Sequence, residues 1–305
     1  MIRSLESLDN IRLNFSEGGL FIMNITLALI MFGVALDIDL HNFKTVFVKP
    51  KAIITGLAAQ YIILPFVTFI LALIINPSPA VALGMILVAS CPSGNIANFL
   101  TLMSKGNIEL SISLNAIASL FAIFLTPLNF AFYGHLYSHS EHLLVPIAIN
   151  GWQMFQTVFL LLGLPLILGS LFAMRFPIVA QKIRKPMKTV SLIVFFGFIV
   201  AALGANFNYF LAYIDLIIFI VFIHNALVIT CGFLLAKAVK LDIASIKTIT
   251  IESGIHNSGL ALVLIFNPKL FNGIGGMAFV AAWWGIWHII TGLALATFFS
   301  KRNTL

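Results

Sequence analysis

The sequence predicts an all-α polytopic membrane protein of nine transmembrane helices, read as two inverted quartets around a fifth helix. Three observations predict it. Of the 305 residues, 61% are hydrophobic and 9% charged, where a soluble domain carries about 25% charged residues. Nine apolar runs recur along the chain, and a bilayer span needs roughly 20 residues. The third and eighth runs carry the same kind of helix-breaking interruption. Mean hydropathy is +1.08. This composition excludes a soluble enzyme, a nucleic-acid-binding domain and a disordered chain. Runs of this length also exclude a β-barrel, whose strands alternate.

The runs, in order, cover 18–36, 51–75, 79–104, 107–134, 145–174, 188–207, 210–236, 241–267 and 274–300. Asn76-Pro77 and Asn267-Pro268 mark tight turns. The formal charge of +7 orients the chain rather than binding nucleic acid. Fourteen of the 17 Lys and Arg fall in alternate connections, and Arg3, Arg12 and Lys269 fall on the opposite side. That asymmetry predicts an external N-terminus and a cytoplasmic C-terminus. Residues 1–17 are too polar to span and are expected to lie at the outer interface as a weak amphipathic helix. They contain no h-region or cleavage site, so a cleavable leader is not expected. Residues 18–300 are expected to form one membrane domain: repeat 1 over about 18–134, a fifth helix over about 145–174, and repeat 2 over about 188–300. Residues 301–305 are a cytoplasmic tail. Cys91 and Cys231 fall inside apolar runs and predict no disulfide framework.

The first quartet starts outside and the second, the sixth to ninth helices, starts inside. The third helix of each is interrupted. One break reads Cys91-Pro92-Ser93-Gly94-Asn95-Ile96-Ala97-Asn98, the other Glu252-Ser253-Gly254-Ile255-His256-Asn257-Ser258-Gly259. Pro92 removes a backbone donor, and the glycines relax the chain. Open backbone at membrane depth survives only inside protein or beside a wet cavity. Paired breaks in inverted halves point to a transporter's binding site, with open amides for an anion and open carbonyls for a cation.

Glu252 is the acidic residue placed deepest, and no Lys or Arg lies at that depth to pair with it. Its partner is expected to be a bound cation, a proton or His256, one turn on. Oxygen donors gather at the same depth: Asn95 and Asn98 in the first break, Gln60 in the second helix, and Ser111, Asn115 and Ser119 every four residues along the fourth. Hard cations take several oxygen ligands. Asn98, Ser111 and Asn115 are read as ligands. Ser119, Thr126 and His224 are read as helix-joining hydrogen bonders, and His288, beside Trp287, as a candidate cavity residue. His135, His139 and His142 are expected in one external loop.

These residues also fall into a pattern. Phe32-Gly33 with Asp37 and a basic loop is one piece. Cys91-Pro92-Ser93-Gly94, Asn98, Lys105-Gly106-Asn107 and Leu110-Ser111 form a second. Glu252-Ser253-Gly254, Asn257-Ser258-Gly259-Leu260 and Trp287-His288 form a third. Together they resemble the bile acid:sodium symporter family, from about residue 18 to 300. The resemblance implies two inverted repeats. Helices 2–4 and 7–9 form a core with crossed broken helices, and helices 1, 5 and 6 form a panel, in a nine-helix form lacking the first helix of ten. It implies a first sodium site at Asn98, Ser111 and Glu252. Asn115 stands there in place of a hydroxyl, and Ala97 in place of a serine. It implies a second site at Gln60, Glu252 and the backbone around Ser253 and Ile255, with His256 in place of a glutamine. Ile289 stands where bacterial relatives carry an asparagine.

The expected function is sodium-coupled symport of an organic anion, bile-acid-like or a small carboxylate, by alternating access. The substrate is expected near Gly94, Asn95, Asn257 and His288. Sodium is the expected coupling ion, with no cofactor. The expected partners are the small anion and the lipid bilayer, with no nucleic acid and no obligate protein partner, and the expected location is a bacterial inner membrane. Alternatives are a proton-coupled carrier using Glu252 and His256, an uncoupled carrier, or a passive channel. An intramembrane enzyme is disfavoured, because no paired-aspartate, His-Glu metal or nucleophile–base motif is visible.

Overall fold

The computed structural model describes residues 5–9, 11–13, 17–36, 50–140, 150–205 and 207–302. Among the described residues the regular structure is helical, apart from two isolated antiparallel bridges, Arg12 with Ile274 and Ser93 with His256. The first run is α1 (Glu17–Ala35). Met23, Leu27 and Met31, four apart, are buried, while Phe21, Ile22, Ile25 and Leu29 are exposed. One stripe therefore faces protein and the rest is suited to hydrocarbon. Asp37, Asp39, Lys44 and Lys49 lie outside the described residues.

The second run, α2 (Pro50–Ile75), contains one π turn at Ala59–Ile63. Pro65 places it. Lacking an N–H, Pro65 leaves the Tyr61 carbonyl without its helical donor, and a π turn absorbs the misfit. Asn129 Nδ2 donates to that carbonyl instead, at 2.9 Å. Asn76 then ends α2 in the left-handed region, φ 46°, at the turn the Asn-Pro pair predicted. The third run is split into α3 (Pro79–Ser90) and α4 (Ile96–Met103). The fourth is α5 (Ile108–Ser140). It continues six residues past the expected end at 134, so His135 and His139 are helical rather than in a loop, and His142 lies outside the described residues.

The fifth run is α6 (Gly151–Arg175), capped by Asn150, whose Oδ1 accepts from Gln153 N at 3.0 Å. It repeats the π device, at Phe159–Gly163 ahead of Pro165. The sixth, α7 (Pro177–Ala205), begins eleven residues before the expected 188. Pro177 is a favourable first helical residue, and Lys182, Arg184 and Lys185, expected in a loop, sit on the helix with their charges exposed. Then follow α8 (Phe207–Ala238), the eighth run split into α9 (Ile243–Gly254) and α10 (Ser258–Phe266), and α11 (Gly275–Ser300). Among the described residues six helices are long and apolar enough to cross a membrane: α1, α2, α5, α6, α8 and α11.

Two groupings emerge from the packing. The α3 half-helix is buried between α2, α5 and α11. Glycines allow the close approach: a Cβ on Gly84 would sit 2.8 Å from Met277 Cα, and one on Gly276 2.8 Å from Ala80 Cβ. The α8 helix packs on α9, α11 and α2. By contrast α1 packs chiefly on α6 and α7. The N-terminal segment is a 3-10 turn (Leu5–Asp9) rather than a surface α-helix. It is stitched to the helical body: Leu8 is buried, Asp9 Oδ1 accepts Ala80 N at 2.9 Å at the start of α3, and Leu13 N donates to Gly273 O at 2.9 Å.

Candidate functional site

The two breaks meet. Gly94 N donates to Ile255 O at 2.9 Å and Asn257 N to Pro92 O at 2.8 Å, an antiparallel pair centred on Ser93 and His256. Glycine at 94 eases this approach, since a Cβ there would lie a tight 3.2 Å from His256 O. The pairing satisfies four backbone groups that the breaks would otherwise leave open. It also diverts donors from the helices. Gly94 no longer reaches Ser90 O one turn back, and Thr126 Oγ1 donates there at 2.8 Å. Ser258 N turns to His256 O, and Asn225 Nδ2 donates to the Gly254 carbonyl at 2.9 Å. Thr291 Oγ1 in turn donates to Asn225 Oδ1 at 2.8 Å. Asn257 N, spent on Pro92, is withdrawn from the Ser253 carbonyl. Each break thus has one carbonyl filled by a side chain from a neighbouring helix, and Ser253 O is left without its helical donor.

Beside the crossing, Glu252 is 1% exposed at the end of α9. Its partners are neutral. Ser111 Oγ donates to Oε1, and Asn115 Nδ2 lies 3.0 Å from Oε1 and 3.1 Å from Oε2. Asn98 Oδ1 joins the group, 2.7 Å from Ser111 Oγ and 3.1 Å from Asn115 Nδ2. Asn115 Oδ1 has no partner, and half a turn of the amide would exchange its nitrogen for this oxygen. Helices α4, α5 and α9 therefore bring Asn98, Ser111, Asn115 and Glu252 into one cluster of oxygens around a carboxylate. Such a set fits a hard monovalent cation, which takes oxygen donors.

Gln60 is 0% exposed, and neither its amide oxygen nor its nitrogen has a partner. It sits on the π turn of α2, which packs against α9. Ser253 Oγ is likewise buried and unpartnered, over Gly232 of α8, where any Cβ would collide with it. Both ring nitrogens of His256 are unpartnered, and the ring meets Trp284 edge-on, centroids 5.4 Å apart. Imidazole offers nitrogen, so His256 is the member least suited to a hard cation.

The expected substrate residues are placed less uniformly. Asn95 is half-buried at the start of α4, its side chain not spent on capping. The Gly94 amide is taken by Ile255. Asn257 Oδ1 is also taken, capping α10 through Leu260 N at 3.0 Å, which leaves its amide nitrogen. His288 is buried on α11 with Nδ1 unpartnered. His224 is the hydrogen bonder expected, 2.7 Å from Thr68 Oγ1.

Sequence reasoning missed Asn225, Thr291, Asn129 and Lys247. Asn225 and Asn129 were visible as amides inside apolar runs, which at that depth must satisfy something. Lys247, counted among loop cations, is buried on α9. Its Nζ donates to Phe299 O at 2.8 Å, Arg302 O at 2.9 Å and Ser104 O at 3.3 Å. It thereby joins the carbonyl ends of α4 and α11, where a cation complements the helix dipole.

An all-helical membrane chain whose paired helix breaks enclose a buried carboxylate and oxygen donors has the make-up of a secondary transporter. The comparisons agree. The model of the Sodium Bile acid symporter family matches residues 24–213. The "Uncharacterized sodium-dependent transporter YocS" of Bacillus subtilis is 32% identical over 283 residues, 92% of this chain and 83% of that protein. The "P3 protein" of Homo sapiens is 31% identical over 75% of this chain and 47% of its own length. The "Probable sodium/metabolite cotransporter BASS1, chloroplastic" of Oryza sativa subsp. japonica is 27% identical over 77% of this chain and 55% of its own. The chain spans about half the length of these last two. The chain belongs to the Sodium Bile acid symporter family: it is an integral membrane transporter, not an enzyme.

Proposed function

We propose that the chain is a sodium-coupled symporter of an organic anion, working by alternating access. The observation that carries this is Glu252, a buried carboxylate whose hydrogen-bond partners are all neutral. A charge in that position requires a counter-charge, and the oxygens of Asn98 and Ser111, joined by that of Asn115 once its amide turns, would hold the sodium that supplies it. Gln60 and the Ser253 carbonyl, with the backbone at Ile255, form the second group of oxygens in this reading; Gln60 has both side-chain polar atoms buried and unpartnered. The sodium-dependent names of the relatives support the same ion.

The anion binds beside the crossing, where Asn95, the Asn257 amide nitrogen and His288 offer polar contacts. Bile-acid-like steroids and small carboxylates both fit that chemistry. The α1–α5 segment corresponds to repeat 1 and α7–α11 to repeat 2, with α6 as the fifth helix. The α1, α6 and α7 trio acts as the panel against which the remaining helices move. The lysine-rich ends face the cytoplasm, across a bacterial inner membrane. Purified protein in proteoliposomes is expected to accumulate a radiolabelled carboxylate only under an inward sodium gradient, and Glu252→Gln is expected to abolish that dependence. Uptake indifferent to sodium refutes the reading.

One observation favours a second reading. His256 is buried next to the carboxylate's helix end with both nitrogens free, so a proton shared by Glu252 and His256 replaces one or more sodium ions. Uptake driven by an inward proton gradient at zero sodium identifies this variant.

A further inference from the structure

We propose that the first three turns of α7 are a docking surface for anionic lipid headgroups, independent of which solute the protein carries. Helix α7 has 29 residues, about 44 Å at 1.5 Å per residue, against a hydrocarbon core of about 30 Å. The apolar run 188–207 is the part read as spanning, which leaves the charged turns before it beyond the hydrocarbon. Lys182, Arg184, Lys185 and Lys188 fall in its first twelve residues, residues 189–205 carry no charge, and no acidic residue occurs between Glu141 and Asp215.

The segment is two-sided. Ala180 is buried and Ile183 and Met187, on the same face at i+3 and i+7, are half-buried against the protein, while Lys182, Arg184 and Lys185 are exposed. Helix α6 joins α7 through Phe176 alone, and at this elbow Phe176, Ile178 and Val179 are exposed, Ile178 to 71%. The Arg175 guanidinium lies 5.4 Å from the Phe176 ring. A merely solvated face would not also present these apolar side chains. Exposed apolar residues beside exposed lysines such as Lys182 and Lys185 are the combination that seats a helix in a headgroup layer. Each lysine near an anionic surface strengthens attachment about fivefold. Because α7 packs on α1 and α6, a lipid held here fixes that trio to one leaflet.

The test is thermal unfolding of the full chain in detergent with added dioleoyl phosphatidylglycerol or dioleoyl phosphatidylcholine. The glycerol headgroup lipid is expected to raise the midpoint further than the choline lipid. K182Q/K185Q is expected to bind it about 25-fold more weakly, from two such factors. K182R/K185R, and K269Q on the opposite side in the charge count, are expected to keep the full gain. Equal shifts from the two lipids, an unchanged gain in K182Q/K185Q, a lost gain in K182R/K185R, or the same gain from soluble glycerol phosphate would each overturn the proposal.

Discussion

Asn225 illustrates what a single side chain does at a broken helix. When Ser258 N turns away, the Gly254 carbonyl is buried with its donor gone, and the Asn225 amide takes its place at 2.9 Å. Thr126 does the same for Ser90 at the other break. Leaving a buried acceptor unsatisfied costs about 1–3 kcal/mol. Asn225→Ala and Thr126→Val are therefore each expected to lower stability by about that much in thermal unfolding. Glu252 was legible from sequence because an acid in an apolar run has few innocent explanations. Asn225 was not assigned its role, because nothing in the sequence says which distant carbonyl will lose its donor. Asn257 fell between the two. Its position in the break was readable, but not that capping α10 would occupy its oxygen.

Helices α9 and α3 were readable as interrupted elements, since Pro92, Gly94 and Gly254 leave few ways to continue a helix. The pairing between the breaks was not readable, because two hydrogen bonds between segments some 160 positions apart leave no local signal. Ends were the weaker part. The α7 helix starts at Pro177 because cations tolerate a helical turn that keeps them in water, whereas charge alone suggested a loop. The π turns of α2 and α6 follow from Pro65 and Pro165, a consequence visible only once both are known to lie mid-helix. At this scale Lys247 is the most informative substitution. It bridges the ends of α4 and α11 from α9, and hydrogen bonds from a charged group are worth about 1.5–3 kcal/mol each at most. Lys247→Met is expected to destabilise the chain by about that much in total and to speed proteolysis near residues 301–302. Unchanged stability and cleavage would show that the bridge does not hold these ends.

Across the whole molecule, composition sufficed for the membrane class. The division into a trio of α1, α6 and α7 and a larger body around the breaks is a matter of packing, and lipid-facing and protein-facing apolar residues look alike in a sequence. Everything rests on Glu252 holding a cation among Asn98, Ser111 and Asn115. The most direct measurement is equilibrium binding of radiolabelled sodium to the purified protein beside Glu252→Gln. The account predicts saturable binding by the native chain, stabilising it by about 2.7 kcal/mol at a hundredfold excess over the dissociation constant, and loss of both effects in the variant. Sodium bound equally by the variant, or by neither protein, would contradict it.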